Sequence, residues 1–174
     1  MQVVQFISIA LYSLIALWYA APLLQKLSRA DALATLLWVH VFRYVVFYIF
    51  AARREGYLIS DPATLELVVG DLAGAVIALA AVALLRWRPR LGLVFSWLVV
   101  LETAGDLFGA IYYRRIEPPR PEAIGPWWFV YAFFGPLILV STALLVWQLI
   151  ARRHESLAGR QEHVLRPTDL NPPV

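Results

Sequence analysis

Of the chain's 174 residues, 61% are hydrophobic and 16% charged, against about 25% charged in a typical soluble domain, and the mean hydropathy is +0.67. There is no cysteine and one lysine, Lys26, which lies between apolar runs; disulfides, thiolate metal sites and an intramembrane retinal Schiff base are thereby excluded. The net charge of +3 comes mainly from arginines flanking the apolar runs, so it reads as membrane topology and not as nucleic-acid binding.

Five apolar runs, roughly 2–24, 31–52, 63–86, 92–113 and 127–151, each approach the ~20 residues needed to cross a bilayer. They predict an all-α, polytopic integral membrane protein: a bundle of five transmembrane helices over 1–153. The first run lacks a basic n-region, and its apolar part is about twice the length of a signal h-region, so it reads as a retained helix. The second contains VHVFRYVVFYIF, residues 39–50, with His40 and Arg43 one turn apart in its middle. The third opens on SDPATLE, with Ser60 or Asp61 as N-cap and Pro62 in the first turn. RWRPRLG then breaks the apolar pattern through Pro89 and Gly92 ahead of the fourth run. IEPPRPEAIGP, residues 116–126, reads as an exposed loop. The fifth run opens on Trp127 and Trp128 and contains Pro136, which is expected to deprive the Ala132 carbonyl of its donor and kink the helix. Residues 154–174 read as a polar, disordered tail.

With five spans, Lys26, Arg29, Arg86, Arg88, Arg90, Arg152 and Arg153 fall on one side. The other side has Arg53, Arg54, Arg114, Arg115 and Arg120, diluted by Glu55, Asp61, Glu117 and Glu122. The positive-inside rule therefore predicts an outside N-terminus and a cytoplasmic C-terminus in a multi-pass cell-membrane protein.

Within the spans lie His40, Arg43, Asp71, Glu102 and Asp106. A charged group at mid-bilayer costs about 2.5–3.5 kcal/mol, so the five are expected to point inward and pair. Counting depth at about 1.5 Å per residue sets His40 opposite Glu102 and Arg43 opposite Asp106, two rungs of a ladder between parallel helices. Asp71 falls near the upper rung. At about 100° per residue, His40, Arg43, Tyr44 and Phe47 share one face of the second helix. GDLAG (70–74) and GDLFG (105–109) are GxxxG stretches suited to close helix contact, within the chain or in a homo-oligomer. Three carboxylates against one arginine leave a surplus of negative charge. Either the imidazole is charged, or acids keep protons, with Glu102 the foremost candidate, or a cation binds.

Three functions fit such a layer. His40, Glu102 and Asp106 are candidate acid–base groups beside a small lipid or isoprenoid-like ligand, with Arg43, Tyr44, Asp71, Trp97 and Tyr131 lining its site. The same carboxylates suit a proton or cation pathway. A buried polar ladder also serves purely to fix helix packing or to bind a partner subunit. A metal held by His40, Asp71, Glu102 and Asp106 is geometrically possible, but no HExxH spacing is present and Arg43 would repel the ion, so no metal or cofactor is assigned. The other histidines, His154 and His163, lie in the tail, which excludes bis-histidine haem ligation.

LETAGDLFGAIYY, followed by a Pro-rich loop and PWWFVYAFFGPLIL, resembles the second half of the EXPERA-domain membrane proteins, the group that includes the sterol isomerase and sigma-2 receptor type. Glu102 and the Gly105–Asp106 pair match that family's polar turns, and His40 matches a membrane histidine two helices earlier. The resemblance implies a helical membrane bundle with a site for an apolar ligand. Tyr44 stands where the isomerase carries an acid, and Gly135–Pro136 where it carries an asparagine. The HxxR helix followed by a Gly-Asp helix is also similar to uncharacterised small bacterial polytopic membrane proteins.

Overall fold

The computed structural model describes residues 2–57, 59–116 and 127–157. Among the described residues the ordered elements are all helical, and five helices are long and apolar enough to cross a membrane. They are α1 (Val3–Lys26), α2 (Arg29–Arg54), α3 (Asp61–Trp87), α4 (Pro89–Tyr112) and α5 (Trp127–Ala151). Each boundary falls within one helical turn of the run that predicted it. Of the loop expected at 116–126, Ile116 is still helical, and residues 117–126, like the tail beyond 157, lie outside the described residues.

Local sequence explains the starts. The Ser28 hydroxyl accepts the Asp31 amide at 3.2 Å, and the Ser60 hydroxyl accepts the Ala63 amide at 3.3 Å, so serines cap α2 and α3. Ser60, and not Asp61, is therefore the N-cap. Pro62 and Pro89 sit in first turns, where a missing amide donor does no harm.

Interior prolines are handled by a second device. In α5 the turn over Val130–Phe134 is wound as a π-helix, and the Gly135 amide reaches back to the Val130 carbonyl just before Pro136. In α1 the turn over Ala16–Ala20 does the same, with the Ala21 amide on the Ala16 carbonyl just before Pro22. A proline ring collides with the carbonyl four residues back, and a widened preceding turn moves that carbonyl aside. The kink expected at Pro136 is thus taken up as a wide turn.

The largest apolar cluster gathers Leu33, Leu36 and Leu37 of α2, Ala78, Ala81 and Leu85 of α3, Val99 of α4 and Leu145 of α5. A smaller one gathers Val46, Ile49 and Ala52 of α2 with Trp127 and Val130 of α5. The polar layer lies between them. α1 packs against α5 and is otherwise peripheral, with Phe6, Leu17 and Trp18 about two-thirds exposed. An apolar exterior of this extent is compatible with a multi-pass membrane protein.

Candidate functional site

The site begins with a change of helical pitch. Residues Phe42–Phe47 of α2 are wound as a 3-10 helix, with three residues per turn in place of 3.6. His40, Arg43, Val46 and Ile49, spaced by three through this turn, consequently stay near one line, and with Ala52 beyond it all are at most 2% exposed. A uniform α-helix would have let that line drift. The face expected from α-periodicity, which included Tyr44 and Phe47, is therefore corrected: Tyr44 is 49% and Phe47 47% exposed. Trp97, 41% exposed, likewise lies one position off the buried line of Gly92, Ser96, Val99 and Thr103 on α4. Tyr131 is half-buried within the wide turn of α5.

Arg43 is the hub. Its Nε donates to Asp71 Oδ1 at 2.7 Å, its Nη1 to Glu102 Oε2 and to the Thr103 hydroxyl at 3.3 Å, and its Nη2 to Asp106 Oδ2. The two-rung ladder expected from depth is replaced by one guanidinium clamping all three acids. The physical reason is the shape of the fork. Its nitrogens point in diverging directions, so one group spans the single turn separating Glu102 from Asp106, which a point charge cannot do. Because Arg43 contacts Glu102 as directly as Asp106, its position gives no ground for singling out Glu102 as the protonated acid. Thr103, which the sequence reading passed over, completes the clamp.

α3 and α4 make room for these carboxylates with glycine. The pairs are Glu66 with Gly109, Gly70 with Asp106, and Gly74 with Glu102, one antiparallel register kept to within a residue. A Cβ on Gly109 would stand 2.9 Å from Glu66 Oε1; on Gly74 it would stand 2.8 Å from Arg43 Cζ. Gly92 continues the seam, close against the Leu85 backbone. Both GxxxG stretches are thus used inside the chain, each glycine opposite an acid, except Gly105, which has nothing within 4 Å. Exposure of the acid side chains rises along the seam from Glu102 at 15% to Asp106 at 34%, and Glu66 is exposed.

His40 stands apart from this clamp. It is fully buried, and neither Nδ1 nor Nε2 has a hydrogen-bond partner; no described carboxylate pairs with it. Glu102 Oε1 is also buried and unpartnered. One turn below His40, the Leu36 carbonyl accepts the Ser141 hydroxyl at 3.4 Å. Extending that antiparallel contact by a turn sets His40 level with Pro136, beside the wide turn of α5. Such buried polar atoms are few in native proteins, and leaving one unmet costs about 1–3 kcal/mol. The metal constellation weighed from sequence is not assembled: among the described residues no three ligating side chains are grouped to hold an ion.

A second polar assembly lies at the opposite ends of α1, α2 and α5. Arg29, 7% exposed, donates to the carbonyls of Leu149 (3.4 Å), Arg153 (3.3 Å) and Glu155 (3.1 Å) at the C-terminus of α5. Arg152 reciprocates from α5 to the carbonyls of Leu24 (3.2 Å) and Leu27 (3.0 Å) at the end of α1. Two arginines thus clasp two helix C-termini, whose last carbonyls lack partners and carry partial negative charge. In the sequence both residues stand out only as basic markers of orientation.

No curated protein and no solved structure matches this chain. Over residues 1–150 it matches the family model described as a domain of unknown function (DUF8737), and it belongs to that family.

Proposed function

We propose that the chain is a multi-pass membrane protein that binds a small lipid or isoprenoid-like molecule, with the acid–base groups an isomerase would need. The observation carrying this reading is the pair of unmet polar groups in the interior: the His40 imidazole, bonded at neither nitrogen, and Glu102 Oε1. Both are held on helices already fixed by the Arg43 clamp. A hydroxyl or carbonyl on an otherwise apolar ligand supplies the missing partners, and a donor–acceptor set in an apolar site is what proton transfer to or from such a ligand requires. Partly exposed acids along the α3–α4 seam offer a lateral way in from the bilayer. In the orientation with the N-terminus outside, that seam opens toward the outer leaflet.

The apolar cluster of Leu33, Leu37, Ala81, Leu85, Val99 and Leu145 closes the bundle on the other side of His40. A dead-ended layer favours binding over a proton or cation pathway crossing the membrane. The resemblance to EXPERA-domain proteins agrees with an apolar ligand, although Tyr44, in the place of the isomerase acid, faces away from the clamp.

Mass spectrometry of small molecules co-purifying with the extracted protein tests the reading. A defined apolar compound with one polar group is expected in the wild type and depleted in His40→Ala and Glu102→Gln. An unchanged complement in both variants, with only lowered stability, would overturn it in favour of a packing role. A pH-dependent current in liposomes, abolished by Glu102→Gln, would overturn it in favour of conduction.

A further inference from the structure

We infer that the end of the bundle carrying the arginine clasp is a binding site for the phosphate-bearing headgroup of an anionic membrane lipid. Lys26, Arg86, Arg88, Arg90 and Arg153 are all exposed there, at the closing turns of α1–α2 and α3–α4 and the end of α5. Leu24, Leu85 and Leu149, one from each of these three ends, lie in a single buried cluster, so the charges belong to one surface. The described acids at this end are Asp31 and Glu155, and both are engaged. Asp31 takes the Ser28 hydroxyl at 2.6 Å, and Glu155 takes Arg152 at 2.5 Å. No described carboxylate pairs with any of the five exposed bases. At the opposite end, by contrast, Arg53 is paired with Asp61 at 2.6 Å.

The unmet polar atoms point the same way. Arg29 Nε and Gln148 Nε2 are buried without partners, and both are donors. The Gln148 amide is not simply reversed, because its oxygen accepts from Arg152 Nη1 at 3.4 Å. What this end lacks is acceptor oxygen, and phosphate supplies it in a form guanidinium groups recognise well. Trp87, 80% exposed between Arg86 and Arg88, adds a ring of the kind that settles at headgroup depth. A soluble phosphate ester would use the same charges without needing the tryptophan or the adjacent apolar helix ends. The lipid uses all three.

Native mass spectrometry of the detergent-solubilised full chain tests the inference, with phosphatidylglycerol, phosphatidylcholine and glycerol phosphate as probes. Phosphatidylglycerol is expected to bind at least about tenfold more tightly than phosphatidylcholine. The preference should vanish in R86Q/R88Q/R90Q, whose changes are confined to exposed side chains, and return in R86K/R88K/R90K. Equal binding of the two lipids, or a preference retained in the glutamine variant, overturns the inference. Glycerol phosphate competing as well as the lipid overturns the lipid assignment in favour of a free phosphate ester. Should the glutamine variant not fold, the wild-type preference must still fall steeply between roughly 50 and 500 mM salt, and a flat response overturns the inference equally.

Discussion

Arg43 and Arg29 are both nearly inaccessible, at 2% and 7% exposure, yet they are neutralised by different chemistry. Arg43 lies in mid-helix, where every neighbouring carbonyl is already occupied by the helical ladder, so its partners must come from side chains: Asp71, Glu102, Asp106 and Thr103. Arg29 lies where α5 ends, and three backbone carbonyls serve it without any carboxylate. The clasp thus sets two cations against local dipoles, and what it leaves unmet is donors, Arg29 Nε and Gln148 Nε2. The central clamp differs in kind. Three acids face one guanidinium there, and what stays unmet is Glu102 Oε1 and both nitrogens of His40. Burial of an arginine alone therefore says little about function; the character of its partners, and of what they leave unmet, says what each region can take up.

The largest effect expected from this contrast is on Arg43. Arg43→Met strands three carboxylates without their cation, and breaking a buried ion pair from one side costs about 3–5 kcal/mol. Denaturation of the detergent-solubilised protein is expected to register that loss. Arg43→Lys should fall between, because an ammonium keeps the charge but cannot span Asp71, Glu102 and Asp106 together. Arg29→Met removes donors whose carbonyl partners lie at a helix end and can turn to water, so about 1.5–3 kcal/mol is expected. Equal losses for the two methionine variants would erase the distinction between clamp and clasp.

The sequence made the five helices legible because length and hydropathy decide what can cross a bilayer, and it marked His40, Arg43, Asp71, Glu102 and Asp106 because ionisable residues are conspicuous in apolar runs. It did not show their pairing. The α-helical period is 3.6 residues per turn, while Phe42–Phe47 winds at three, which moves Tyr44 off the buried line and Val46 onto it. Nor could residue identities reveal the clasp, since its acceptors are backbone carbonyls, which every position possesses. The glycine–acid seam was half visible: GDLAG and GDLFG announced close contact, but only the antiparallel register shows Gly70, Gly74 and Gly109 each opposite an acid of the other helix, and Gly105 opposite none.

That seam supplies the next test. Gly74→Ala places a methyl 2.8 Å from Arg43 Cζ and against Glu102, on groups that cannot yield without loosening the clamp. Overpacking of this kind costs about 1–3 kcal/mol. Gly105→Ala, in the matching GxxxG stretch, meets nothing within 4 Å and should be neutral or stabilising by up to about 1 kcal/mol through helix propensity. Thermal unfolding of the two variants side by side measures the difference. Equal behaviour would mean that α3 and α4 are not in the register that places acids opposite glycines.

The smallest effect belongs to the clasp and is read through pH. Arg152 beside Glu155 holds its carboxyl below the ordinary value of 4.5. A carboxyl whose folded value is depressed stabilises the fold above its unfolded value, and that contribution fades as pH falls through the folded one. Glu155 is solvent-exposed, so the net effect on global stability is slight. Locally it is legible. As pH falls through that depressed value, protonation frees Arg152 from Glu155, and hydrogen exchange at the end of α5 should quicken relative to the middle of that helix. In Glu155→Gln the acceleration should be present already at neutral pH and should not deepen on acidification. An acid-induced loosening that persisted in Glu155→Gln would place the responsible group elsewhere, and the central clamp, with its three acids, would be the region to examine next.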